Sequence, residues 1–483
     1  MIKRLDIPGT KQARLLTLLY IVVFIGWFGL AFIAGLYHEP WADEAQSWLI
    51  ARDVPIGQLF THTLHYEGSP ALFFLLLKFL QCFHFPYQAL FLVPLVFTGV
   101  GVYLLLFKSK LSPVIKILFP FTYYIAYQYA VVGRNYCLIF PLLAFIAIFY
   151  TRRLQKPFLY AFLLILLLSV SAYGFLLAGI LCLYFMEDVY QKQRHKLSSW
   201  VAIGIVCVGM LLTASYVSKS VDCSYVAKIS LQDLDTFYPI LTNGFFDVSR
   251  YIIQWFYLFF VLLLYMLAFL LFCKTKRQRV FFLFINWALI FALSVLHCVF
   301  WHSGYIIIVL IFCIWVLQEE NQNKEYPLPN KWIKWGFYAV FIIIVNTQIC
   351  WSWAALRYDI KHEYSASLQA SKFLKEKGLE KYSIYALGYR TVSMQPYFSQ
   401  NIYKNFDVSY WPWQIQAEFD IHYNALQKPS VIVWDVVCYS KYRGLLKYLS
   451  AQYDSYMFKG KMFGKSGIKE RTDLVIFVRK GLL

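Results

Sequence analysis

The chain is a succession of long apolar runs separated by short polar turns. A bilayer crossing needs about 20 consecutive apolar residues. Runs near 15–36, 70–84, 88–107, 112–131, 135–150, 157–169, 171–186, 200–217, 251–272, 280–299, 301–318 and 333–353 are candidates. Several fall short of that length and predict tilted, broken or partly inserted helices. From about residue 354 the pattern changes: "SASLQASKFLKEKGLE" has amphipathic helical spacing with a glycine stop, and "YSIYAL", "SVIVWDVV" and "DLVIFVRK" read as short strands. The pattern therefore predicts an all-α polytopic membrane bundle over 1–353, followed by a small C-terminal α/β domain over 354–483. No internal repeat and no low-complexity linker interrupts it.

Composition and charge sharpen this picture. Of the 483 residues 60% are hydrophobic, against roughly 45–50% apolar in soluble domains, too much to hide in one soluble core. The formal net charge of +19 would point to nucleic acid in a soluble protein. Here the basic residues cluster in short loops, at Lys3/Arg4/Lys11/Arg14, Lys108/Lys110, Arg152/Arg153/Lys156, Lys192/Arg194/Lys196 and Lys274/Lys276/Arg277/Arg279. That is the pattern of cytoplasmic loops facing anionic headgroups, so no nucleic-acid partner is expected. Placing these clusters in the cytoplasm puts 37–69, the first external loop, outside together with 132–135, 218–250 and everything after 353.

A cytoplasmic start and an external end require an odd number of crossings, yet there are twelve apolar runs, so the count is 11 or 13. The conflict sits between the first external loop and Lys108, where one crossing is required and two runs occur, split at "HFPYQ". Either 70–84 is not a full span or the Lys108/Lys110 pair breaks the charge rule. The start "MIKRLDIPGTKQARLL" precedes its apolar run without a small-residue cleavage site, so the first helix is expected to stay. Seven of the ten cysteines (Cys137, Cys182, Cys207, Cys273, Cys298, Cys313 and Cys350) lie in apolar runs and read as small buried hydrophobes. Cys223 and Cys438 fall in polar segments and could pair if both face an oxidising compartment.

The chemistry-bearing residues gather in the predicted external loops. "YHEPWADEAQSWLIARD", 37 to 53, places Asp43 and Glu44 just beyond the first span. Asp43 with Gln46 three residues on has capping-box spacing, and Ala45, Trp48 and Leu49 form an apolar face, which predicts an interfacial helix stopped at Pro55. Adjacent helical residues point about 100° apart, so the two acids are expected to divide the work: one on a substrate, the other holding the loop. "HTLHYEGSPALFFLLLKFL" brings His62, His65 and Glu67 to the same loop, with Pro70 suited to a first helical position. The histidine spacing matches no standard metal site, and no cofactor is assigned; a divalent metal is left open. "AVVGRNYCLIF" sets Arg134 between two spans, and "CVFWHSGYIIIVL" sets His302 and Gly304 at the start of a late one.

Under this topology Asp43, Glu44, Glu67, Arg134 and His302 all lie at the outer ends of helices. Carboxylates beside a guanidinium suit group transfer from an anionic lipid carrier: an acid takes the acceptor proton and the cation binds the departing phosphate. A transporter or flippase, the main alternative, more often shows repeats and midplane charges. A polymerase or ligase of lipid-linked glycans would want a larger external loop rich in Arg and His than 218–250.

The pieces "WADEAQSWLIARD", "EGSPALFFLLL" and "GRNYCL", with a multi-span body and an α/β tail containing "ASKFLKEKGLEKYSIYALG…MQPYF", resemble the type C glycosyltransferase superfamily, nearest its protein O-mannosyltransferase and lipid A aminoarabinose transferase branch. The resemblance implies an inverting glycosyltransferase using a sugar on a polyprenyl phosphate, with a glycan, lipid or protein acceptor in the cell envelope. It implies Asp43 as the catalytic carboxylate with Glu44 its neighbour, and Arg134 near the donor phosphate. It also implies a bacterial inner or plasma membrane location, with the active site and tail extracytoplasmic. "EGSPAL" departs from the pattern, which has a basic or His residue before Pro-Pro-Leu, so Glu67 is a third acid in the loop. His65 and His302 complete the candidate set.

Overall fold

A computed structural model describes residues 11–224, 237–246, 251–296, 299–322, 324–326, 330–425, 427–437, 449–463 and 469–483. Eight helices are long and apolar enough to cross a membrane, with three shorter apolar helices among them. In chain order the helices of the body are α1 (Lys11–Tyr37), α2 (Ala42–Asp53), α3 (Leu72–Gln81), α4 (Leu92–Lys108), α5 (Ile139–Tyr150), α6 (Pro157–Leu168), α7 (Ala172–Lys192), α8 (Leu197–Val217), α9 (Tyr251–Phe272), α10 (Lys276–Val295), α11 (Gly304–Asn321) and α12 (Lys331–Lys361). Their starts follow local chemistry. Ser171 Oγ accepts from Gly174 N at 3.1 Å to cap α7, Thr275 and Gln278 form a capping box on α10, and Asn330 caps α12. Large apolar side chains stay on the outside, including Leu18, Val22 and Ile25 of α1 and Leu211 and Leu212 of α8. An aqueous surface would penalise this belt, whereas a bilayer requires it.

Two of the twelve predicted crossings are built differently. The 70–84 run gives a helix of only 10 residues, short of the length a crossing needs. Its helix α3 starts at Leu72, not Pro70, and lies along α2: Lys78 Nζ donates to Ala51 O and Val54 O, each at 2.8 Å, and Gln81 Nε2 donates to Trp48 O at 3.1 Å. The ammonium thus satisfies carbonyls at the C-terminal end of α2. The 112–131 run is broken into a short helix Pro113–Leu118, a 3-10 turn Phe119–Phe121 and a wide turn Tyr124–Gln128. Pro120 cannot donate to the ladder and Thr122 is extended, which ends the regular helix. Tyr123 then stacks on Trp351 with ring centres 3.7 Å apart, and its N–H donates to Gln348 Oε1 at 3.1 Å.

The basic loops of the described residues meet at one end of the bundle, and Lys3 and Arg4 lie outside the described residues. Lys116 Nζ donates to Leu106 O at 3.0 Å, Arg153 and Arg277 both reach Asp188, and Gln278 Nε2 donates to Glu320 at 3.2 Å. The opposite end collects the first loop, the Gly133–Arg134 turn, the start of α7, the 218–224 segment, the start of α11 and the C-terminal domain. Among the described residues the eight long helices are the candidate crossings, and 72–81, 135–150 and 157–168 are shorter apolar helices.

The C-terminal domain begins with α13 (Ser367–Glu376), ended by Gly378 at φ 62°. Its sheet has the order β1-β2-β6-β3, from β1 (Ile384–Leu387), β2 (Val431–Asp435), β3 (Tyr453–Phe458) and β6 (Leu474–Arg479). The β1/β2 pair is parallel, and β6 is antiparallel to both its neighbours. The strands alternate as a two-sided sheet must: Ile384, Val431, Val433 and Ile476 join the main core, while Ile432, Trp434, Val475 and Phe477 form a second cluster on the other face. A hairpin of β4 (Lys461–Phe463) and β5 (Lys469–Arg471) and a helix α14 (Ile415–Ala425) complete the domain. Cys223 is buried, and Cys438, its proposed partner, lies outside the described residues.

Candidate functional site

Helix α2 is not the surface helix its pattern predicts. Ala42, Glu44, Ala45, Gln46, Ser47, Trp48, Leu49, Ile50 and Ala51 are all buried, between α3 and the tail segment Tyr389–Tyr397. Its N-cap is Trp41, not Asp43, so the third helical position belongs to Glu44, whose Oε2 accepts from Trp41 N at 3.1 Å. Asp43 and Gln46 are thereby released from capping.

The two adjacent acids occupy different environments. Glu44 is buried; its Oε1 accepts from Gly133 N at 2.5 Å and its Oε2 lies 3.0 Å from His38 Nε2. His38 Nδ1 lies 3.2 Å from Asp359, which also accepts from Tyr127 OH at 2.6 Å. Burial alone would lower the His38 pKa, but Glu44 and Asp359 on its two nitrogens raise it to about 10. Glu44 thus ties the first loop to the Gly133 turn and, through His38, to α12. A side chain at Gly133 would come within 2.8 Å of Leu90 and 3.0 Å of Glu44 Oε1, so this close approach requires glycine.

Asp43 faces a cavity of about 520 Å³ at the end of the bundle opposite the basic loops. Its Oδ1 accepts from Tyr389 OH at 2.9 Å, its Oδ2 lies 3.7 Å from Arg134 Nη2, and its carbonyl accepts from Arg134 Nη1 at 2.6 Å. Ser47 Oγ accepts from the same nitrogen at 3.1 Å. Burial works against the Arg134 charge, but Tyr136 and Asp43 more than offset it and bind the guanidinium proton more tightly than usual. Glu67 lines the cavity too, accepting from Gln46 Nε2 at 2.8 Å. Burial pushes its carboxyl up to about 7, against the pull of Gln46 and Arg134 and helped by the charge on Asp43.

The structure therefore brings Asp43, Glu67, Arg134 and His302 to one cavity, with Lys219 and Arg390 also on its wall. His302 lies between the Tyr136 and Tyr173 rings, 5.7 and 5.4 Å away. It does not bring in Glu44 or His65, neither of which lines the cavity. His65 Nδ1 lies 2.6 Å from Ser218 O, and His62 Nε2 lies 3.2 Å from Gln414 Nε2. The two histidines thus fasten the loop in different directions. Among the described residues no group of three or more His, Cys, Asp or Glu side chains is placed to hold a metal ion.

What sequence reading missed is the tail's share of the wall: Tyr389, Arg390 and Trp413. Gln46 fixes this segment by donating to Trp411 O at 3.0 Å and accepting from Trp411 N at 2.8 Å. The local signal is Gly388, at φ 100° directly after β1, a conformation that favours glycine and turns Tyr389 toward Asp43. Fold and site together define a helical membrane bundle with a cavity at one end that carries charged side chains on its wall, closed over by a small strand-containing domain. Compared with family models, with curated proteins and with solved structures, the chain matches none.

Proposed function

We propose that this chain is an integral-membrane glycosyltransferase. It transfers a sugar from a polyprenyl-phosphate donor to a cell-envelope acceptor (glycan, lipid or protein) on the extracytoplasmic face. The observation that carries this reading is the meeting of Asp43 and Arg134, residues 91 apart in sequence, at 3.7 Å in one cavity at the end away from the basic loops. By the positive-inside rule that end is extracytoplasmic, where a sugar on a lipid phosphate presents its anionic linkage beside the bilayer.

The step balances as a displacement with inversion at the anomeric carbon. The acceptor oxygen bonds to that carbon as its proton passes to the Asp43 carboxylate. The bond from the carbon to the phosphate oxygen breaks, and the polyprenyl phosphate leaves with its new charge facing the Arg134 guanidinium, whose planar fork matches phosphate oxygens. In this scheme Glu44 holds the loop and makes no contact with substrate.

The test uses the purified full chain in lipid nanodiscs with radiolabelled hexose and pentose on undecaprenyl and dolichyl phosphate, plus an envelope extract as acceptor source. Label moving from lipid to an envelope product is expected. Transport of the intact donor across a sealed vesicle, with no product, would instead make the chain a flippase.

A further inference from the structure

We propose that Tyr389, carried by the C-terminal domain, is a positioning residue for Asp43: its hydroxyl fixes one carboxylate oxygen so that the other stays turned to Arg134. This deepens the glycosyltransferase reading and rests on it for the catalytic consequence, although the pairing itself can be tested without turnover.

The geometry supplies the argument. Tyr389 OH is 2.9 Å from Asp43 Oδ1, while Oδ2 is the oxygen at 3.7 Å from Arg134 Nη2. The carboxylate is held from two sides, by a neutral donor and by a cation. Burial keeps the Tyr389 phenol well above its usual range, so it donates at every working pH. A side chain at the second position of a helix could otherwise sample several rotamers. The tail that carries the phenol is docked on α2 and on the loop before it at several points. Arg52 Nη1 donates to Phe398 O at 3.0 Å, Ser409 Oγ donates to Asp53, and Glu39 accepts from Ser367 Oγ at 2.7 Å. The domain 346 residues along the chain is thus part of the site's wall, and its docking sets the carboxylate's orientation.

Tyr389→Phe removes the hydrogen bond and keeps the ring. Its loss leaves Asp43 Oδ1 without that donor, so the Asp43 carboxylate stretching band is expected to shift. Infrared difference spectra of Tyr389→Phe against Tyr389→Phe/Asp43→Asn, compared with wild type against Asp43→Asn, read this directly. With the polyprenyl-phosphate sugar panel, kcat is expected to fall about tenfold and the donor KM to stay unchanged. Tyr453→Phe, which removes a tyrosine hydroxyl from Pro429 O elsewhere in the same domain, is expected to leave band and kcat at wild-type values. An unshifted Asp43 carboxylate band in Tyr389→Phe overturns the positioning role, as does an equal shift in Tyr453→Phe. A shifted band in a protein whose wild type transfers no sugar supports the pairing and defeats the glycosyltransferase reading instead.

Discussion

The two ends of the bundle use the same residue types to opposite effect. At the basic end Asp188, buried completely, receives Lys192 on one oxygen at 2.7 Å and both Arg153 and Arg277 on the other, with Arg277 Nη2 at 2.9 Å. Arg153 also faces Glu320 at 3.7 Å and lies 3.8 Å from the Tyr150 ring centre. Both Asp188 oxygens are thus occupied by cations. At the other end Asp43 and Arg134 keep about a fifth of their side-chain surface exposed, and their closest charged atoms stop at 3.7 Å. Saturated charge fastens α7, α10 and the 151–156 turn together, whereas the loosely paired charge borders a cavity. The comparison teaches that an ion pair in such a protein is read by what remains unsatisfied around it.

Substitutions at the two ends should therefore separate activity from stability. The largest effect is expected for Asp43→Asn, which should lower transfer by about 10²–10⁴-fold and leave the thermal unfolding of the detergent-solubilised protein unchanged. Asp188→Asn should do the reverse. It deprives the buried Arg153 guanidinium of its nearest counter-charge, at about 3–5 kcal/mol, seen as a lower unfolding temperature with residual activity per folded molecule intact. If both variants lose activity and stability together, the contrast between the ends is wrong. Arg134→Ala should raise the apparent donor KM by about 10–100-fold, the range of a lost charge-assisted contact. An unaltered donor KM would leave Arg134 as a tether for Asp43.

The smallest effect is a pH dependence. Glu67 titrates at about 7 in the folded protein because of burial, well above roughly 4.3 for an exposed glutamate. The folded state therefore binds more protons than the unfolded state between those values, and stability falls as pH rises through that window. Glu67→Gln should raise the unfolding temperature at pH 8 by a few degrees (about 2–4 °C) and change little at pH 4. A larger gain at pH 4 than at pH 8 would contradict the assignment.

Much of this arrangement was legible before any coordinates. The apolar runs located the long helices, the basic loops located one end, and the acids with Arg134 were drawn to the other by topology alone. The failures have physical causes. Apolar content does not report direction, so α3, about 15 Å long at 1.5 Å per residue, looked like a crossing although Lys78 and Gln81 bind it along α2. Periodicity likewise could not show that the Pro120 region breaks, because Tyr123 and Tyr124 are as apolar as a helix needs and are held by distant partners such as Gln348 and Asn243. The cap went to Trp41 and Glu44 because Gly133 and His38, far away or outside the capping pattern, also claim Glu44. The contribution of Tyr389 and Trp413 depends on a tertiary contact across most of the chain, for which no local pattern exists.

The central claim is that the Asp43–Arg134 cavity carries out sugar transfer to the cell envelope. It is tested most directly by glycan profiling of a host strain lacking this chain. The account predicts that one sugar disappears from an envelope glycan, lipid or protein, returns with the wild-type chain, and stays absent with a normally inserted Asp43→Asn chain. Full restoration of that sugar by Asp43→Asn would contradict it.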